Sequence, residues 1–95
     1  MFGNILKDYG RVFESEDLLV VHMKLEAGQT IPPHDHPKQE IFFTVVSGKV
    51  EVYLDEQETY ILEPKNVLNF KGERRISAKA LEESDVFVYL INRRK

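Results

Sequence analysis

Gly28-Gln29-Thr30-Ile31-Pro32-Pro33-His34-Asp35-His36-Pro37-Lys38-Gln39-Glu40 is the stretch on which the reading turns. It holds two of the three histidines of the chain, two residues apart. In a strand, residues i and i+2 point to the same side, so both imidazoles converge on one point. Glu40 shares their even register. A regular strand puts its carboxylate on the same face, and a bend at Pro37 brings it round otherwise. Two imidazoles and one carboxylate form a tripod that suits Fe(II), Mn(II), Ni(II) or Zn(II), with positions left open for water or substrate. The same residues also fit a polar surface loop, with Glu40 a solvated charge at the start of a strand.

Around this stretch the sequence has period two, which is the strand signal. Val21, Met23 and Leu25 alternate with His22, Lys24 and Glu26. Val50, Val52 and Leu54 alternate with Lys49, Glu51 and Tyr53, and Ile76, Ala78 and Ala80 with Arg75, Ser77 and Lys79. Turn-forming residues separate these runs at Ser47-Gly48, Asp55-Glu56-Gln57, Pro64-Lys65-Asn66 and Lys71-Gly72-Glu73. We read strands near 10–15, 17–26, 34–47, 49–54, 58–63, 67–70, 74–81 and 85–91, and one helical turn within the first nine residues. Short strands with turns every 8–12 residues indicate an all-β sandwich or barrel.

The chain has 95 residues, 42% hydrophobic and 31% charged, which leads us to expect one domain spanning 1–95. A net charge of −3 argues against a strongly basic nucleic-acid binder. The absence of cysteine excludes disulfides, thiolate nucleophiles and Cys-type zinc sites. No stretch approaches a membrane span and the start carries no signal-peptide pattern, so the expectation is a cytoplasmic protein without membrane or nucleic-acid partners. Val86-Phe87-Val88-Tyr89-Leu90-Ile91 and Ile41-Phe42-Phe43 are apolar on both faces. Something must then cover the outer face, either a second subunit in a homodimer or the N-terminal residues Phe2, Ile5 and Leu6.

Gly28 through Gly48 resembles the first motif of the cupin superfamily, G-x5-H-x-H-x3/4-E-x6-G. Gly28, His34, His36 and Glu40 fall on that pattern in order. Val50–Leu54 resembles the strand after the motif glycine, and Leu62–Phe70 the turn and strand that open the second motif. The resemblance spans about residues 15–92. It implies a small cupin-type β-barrel, a jelly-roll-like double-stranded β-helix. It also implies a divalent metal (Fe, Mn, Ni or Zn) held inside by His34, His36 and Glu40. Two features depart from the pattern. Seven residues rather than six separate Glu40 from Gly48, so counting back from Gly48 reaches Ile41. A β-bulge accommodates one extra residue, and Glu40 is preferred because isoleucine cannot ligate. The second motif also lacks its histidine, because none follows His36. Ile76 or Arg75 takes that place; strand alternation favours Ile76, which makes that wall apolar, whereas Arg75 would make an anion site.

On the same register Phe42, Thr44 and Ile76 line the pocket. His22 alternates with Val21 and Met23 and reads as facing solvent, and Asp35 points away from the flanking histidines. Arg74-Arg75 and Arg93-Arg94-Lys95 read as solvated basic clusters. No acid–base residue stands beside the tripod unless Tyr53 or Tyr60 reaches in, so catalytic residues are unassigned. Three functions compete: a metal-dependent enzyme on a small chelating substrate, a barrel that binds a small molecule with or without metal, and a dimeric scaffold with a decayed site. They differ in whether a stoichiometric metal, a stabilising ligand or neither is found.

Overall fold

A computed structural model describes residues 2–93. Nine strands form in chain order: β1 (Gly10–Glu14), β2 (Leu18–Leu25), β3 (Thr30–His34), β4 (Gln39–Ser47), β5 (Val50–Leu54), β6 (Glu58–Leu62), β7 (Val67–Lys71), β8 (Ile76–Ala80) and β9 (Ser84–Asn92). They pair antiparallel in two sheets, one ordered β1-β2-β9-β4-β7 and the other β3-β8-β5-β6. The all-β expectation holds. The helical turn expected within the first nine residues does not form, and no helix occurs among the described residues.

Alternation decides which residues the two sheets enclose. Val50, Val52 and Leu54 of β5 and Ile76, Ala78 and Ala80 of β8 face inward from the four-stranded sheet. Val86, Val88 and Leu90 of β9 and Ile41, Phe43 and Val45 of β4 face them from the other. These residues form one continuous core. Two turns show why the hairpins close where they do. Asp55 and Glu56 have φ of 55° and 56°, and Gln57 N–H donates to Leu54 O at 3.0 Å. Two successive positive φ values match the twist of the flanking strands. Gly48 has φ of 90°, and a Cβ there would lie 2.1 Å from Ser84 Oγ, so the β4–β5 turn tolerates only glycine.

The sequence reading joined residues 34–47 into one strand, and the structure divides it. β3 ends at His34, and Lys38 turns the chain with φ of 70° before β4 begins at Gln39. A positive φ resets the two-residue phase, so the register of the histidines does not carry into β4. A second irregularity lies between Val45 and Ser47 in the pairing of β4 with β9. Ile41, Phe43 and Val45 nevertheless stay inward, and six residues separate Ile41 from Gly48, so the extra residue is taken up in the turn before β4.

The outer face of the five-stranded sheet carries Phe13, Val67, Tyr89 and Ile91, all exposed. The N-terminal segment does not lie over it as a cover: Phe2 and Ile5 are exposed, with relative accessibilities of 109% and 88%. Lys7, Asp8 and Tyr9 dock on His22. Tyr9 stacks on His22 at 4.4 Å between ring centroids, and His22 stacks on Phe87 at 4.2 Å. His22 Nδ1–H donates to the carbonyls of Lys7 and Asp8 at 3.2 and 3.1 Å. His22 thus sits on the outer face as alternation requires, but it is buried rather than solvated.

Candidate ligand cavity

The cavity lies between the sheets beside β1, β2 and β3, with a volume of about 320 Å³. Leu19, Val21 and Met23 of β2 line one side and Phe43, Val88 and Leu90 the depth. Phe70 and Ile76 reach it from β7 and β8. His34 and His36 stand at this wall together, their rings edge to face at 4.7 Å between centroids. The two imidazoles lie together, although by different means than a continuous strand. His34 closes β3, and His36 lies in the turn that follows. Backbone bonds pin that turn: His36 N–H donates to Gly72 O at 2.8 Å and Gly72 N–H to Gln39 O at 2.7 Å. The approach is so close that a Cβ on Gly72 would lie 1.9 Å from His36 O.

The two rings differ in environment. His34 Nδ1–H donates to Pro32 O at 2.9 Å, which leaves Nε2 as its free nitrogen. Burial pushes the His36 imidazole below the ordinary histidine range. The neighbouring His34 ring adds to that shift and Asp35 opposes it. Asp35 itself is exposed.

Glu40 does not join them. It pairs with Lys71 and Ile91 on the outward register of β4. Its Oε2 accepts from Asn69 Nδ2 at 2.9 Å, and Lys71 Nζ lies 3.7 Å from Oε1. Ile41 takes the inward position instead and is 1% exposed. Phe42 and Thr44 follow Glu40: they pair with Tyr89 and Phe87 on the outer register, and Phe43 lines the cavity in their place. The physical reason is the turn at Lys38, which shifts the phase by one residue. Ile76 lines the cavity as alternation predicts, while Arg75 is exposed and its backbone N–H donates to Asp55 Oδ1 at 2.8 Å. Tyr53 and Tyr60 do not reach in; their hydroxyls donate to Glu51 and Glu58, both at 2.6 Å. Arg74 pairs with Asp55 at 3.0 Å, and Arg93 pairs with Glu73. Arg94 and Lys95 of the expected C-terminal basic cluster lie outside the described residues.

Sequence reasoning missed Arg11. A bulge in β1 falls between Arg11 and Phe13. Arg11 pairs with the inward Val21, and Phe13 with Val20. Directly opposed residues share a face, so the bulge turns Arg11 to the cavity and Phe13 outward. Nothing in Gly10-Arg11-Val12-Phe13-Glu14 signals that bulge. Ile41 was legible by counting back from Gly48.

Residues 21–88 match the Cupin domain family. The chain belongs to the cupin family. No curated protein matches it. Among solved structures, it is similar to KdgF from Halomonas sp., with 32% identity over 88% of this chain and 78% of that one, at a TM-score of 0.79. It is also similar to an uncharacterized conserved protein with a double-stranded beta-helix domain from Klebsiella pneumoniae. There the identity is 26% over 90% of this chain and 75% of that one, at 0.78. An RmlC-like cupin protein from Desulfovibrio desulfuricans matches at 25% identity over 86% and 78%, at 0.80.

In this cupin the residues present do not fit the metal that the resemblance implies. Open metal sites use three protein ligands. Here the cavity offers two imidazoles, with Ile41 and Ile76 where further ligands are expected. Among the described residues no group of three His, Cys, Asp or Glu side chains converges.

Proposed function

We propose that this cupin is a metal-independent barrel that binds a small, mostly apolar molecule. The observation that carries this reading is Ile41, which faces the cavity that the histidine pair lines while the Glu40 carboxylate lies on the other face of the sheet. The volume stands at the lower end of the range for small-molecule pockets. Aliphatic and aromatic walls supply the affinity, and the two imidazoles supply orientation by hydrogen bonding. The test is methyl NMR on chelator-treated protein titrated with indole, a neutral probe. Saturable shifts at Val21, Ile41 and Ile76 that survive chelation are expected. Shifts that vanish with chelation and return with added metal would overturn the reading.

We further propose that the outer sheet face pairs with a second copy in a homodimer. Exposed Phe13, Val67, Tyr89 and Ile91 support this, together with an N-terminal segment that leaves them open. Light scattering should give twice the chain mass, and Tyr89→Glu should give the monomer. A wild-type monomer at 100-fold dilution and at high concentration alike contradicts the dimer.

A further inference from the structure

We infer that the ligand of this cavity is an apolar-bodied monoanion, a small carboxylate whose head is held by Arg11, with the imidazoles of His34 and His36 as the other polar groups of the lining. This rests on the metal-independent binding reading and adds the chemical class to it. The polar side chains that line the cavity are Arg11, His34 and His36, and no Asp or Glu is among the lining residues. Every charge that the lining itself can carry is therefore positive, and the acidic group beside it is Glu14, opposite Leu19 and paired with Arg11. A cationic or neutral donor set on an otherwise apolar cavity discriminates in favour of an anion and against a cation.

Arg11 is placed for this by the bulge in β1. Without the extra residue, Arg11 and Phe13 would share a face; with it, Arg11 faces inward beside Val21. The protein partner of Arg11 is Glu14, with Nη1 to Oε2 at 3.3 Å. Both side chains are well exposed, at 66% and 60%. Exposed pairs of this kind are weak, so the guanidinium remains available to a ligand. Its planar fork donates two parallel hydrogen bonds to a carboxylate. Among the described residues neither ring nitrogen of His36 has a side-chain hydrogen-bond partner, and His34 keeps Nε2 free. Apolar residues Val21, Met23, Phe43 and Ile76 leave no donors for a polyhydroxylated body, which sets the hydrocarbon character of the rest of the ligand.

The experiment compares matched acids and amides by calorimetry on the chelator-treated full chain. Phenylacetate is paired with phenylacetamide, and hexanoate with hexanamide. Each pair holds the body fixed and removes the charge. The expected result is that the acid binds at least tenfold more tightly than its amide. Arg11→Gln should bring acid and amide to within threefold, and Arg11→Lys should restore part of the difference. Acids and amides that bind equally overturn the anion proposal and leave metal-independent binding standing. Amides that bind more tightly do the same. Binding of neither series, with indole also silent, overturns both. Acid binding that requires added metal likewise overturns both.

Discussion

Ile41→Glu converts the argument about the cavity into a measurement. The substitution places a carboxylate on the inward register of β4, in the cavity that His34 and His36 line. Ile41 is 1% exposed, and full burial of such a side chain contributes about 1.5–3 kcal/mol. A carboxylate left unpaired there costs a few kcal/mol more, in part by taking up a proton. Together the metal-free variant should lose about 3–5 kcal/mol. For a domain of this size that is a fall of roughly 15–25 °C in Tm. The variant would also complete a set of two imidazoles and a carboxylate. Zinc or nickel at about 100 times its Kd then returns about 2.7 kcal/mol, or roughly 10–20 °C. Thermal unfolding at pH 7.5 with and without metal is the assay. Ile41→Glu should recover with metal, and the wild type and Ile41→Gln should not. Adding His34→Ala to Ile41→Glu should abolish the recovery. A wild-type chain that gains as much as the variant, and loses the gain in Glu40→Ala, would refute the reasoning about register.

Three other outcomes follow from the same structure. Phe43→Ala should cost about 3–5 kcal/mol in denaturant unfolding, and Phe42→Ala about half that or less, because only Phe43 is inside; equal losses contradict the placement of β4. Gly48→Ala should cost about 2–4 kcal/mol, because it adds positive-φ strain to a Cβ that meets Ser84 Oγ at 2.1 Å. Urea midpoints check this, and a change under 0.5 kcal/mol contradicts it. Acid lability should come in two windows. The folded His36 is shifted below the ordinary range, chiefly by burial, so the unfolded chain takes up the proton first and stability falls as pH drops below about 6.5. The backbone N–H of Arg75, then the Arg74 side chain, hold Asp55 low, so its contribution is complete above about pH 4 and is lost below that. His36→Gln should remove the upper slope alone in Tm measured from pH 8 to 3.

Most of the fold was legible because it is written in alternation. Val50–Leu54, Ile76–Ala80 and the inward half of Val86–Leu90 read directly as strands with one buried face. β3 was missed as a separate strand because Pro32-Pro33 removes two donors from it and disguises its pairing with β8. The histidine pair was legible because its spacing survives both a strand end and a turn. Glu40 was not, because register is a sum over every residue between, and one positive φ at Lys38 changes its parity. His22 shows a related limit. Alternation puts it outside, and only the tertiary docking of Tyr9 and Phe87 buries it. Arg11 reads in the sequence as an ordinary surface charge; its place at the cavity is a property of the pairing of β1 with β2.

The central claim is that the cavity works without a metal, and elemental analysis of untagged wild-type protein purified without chelators tests it most directly. Less than about 0.1 equivalent of any transition metal is predicted, with no change in His34→Ala/His36→Ala, on the donor set of two imidazoles. A near-stoichiometric metal that the double substitution removes would contradict the account.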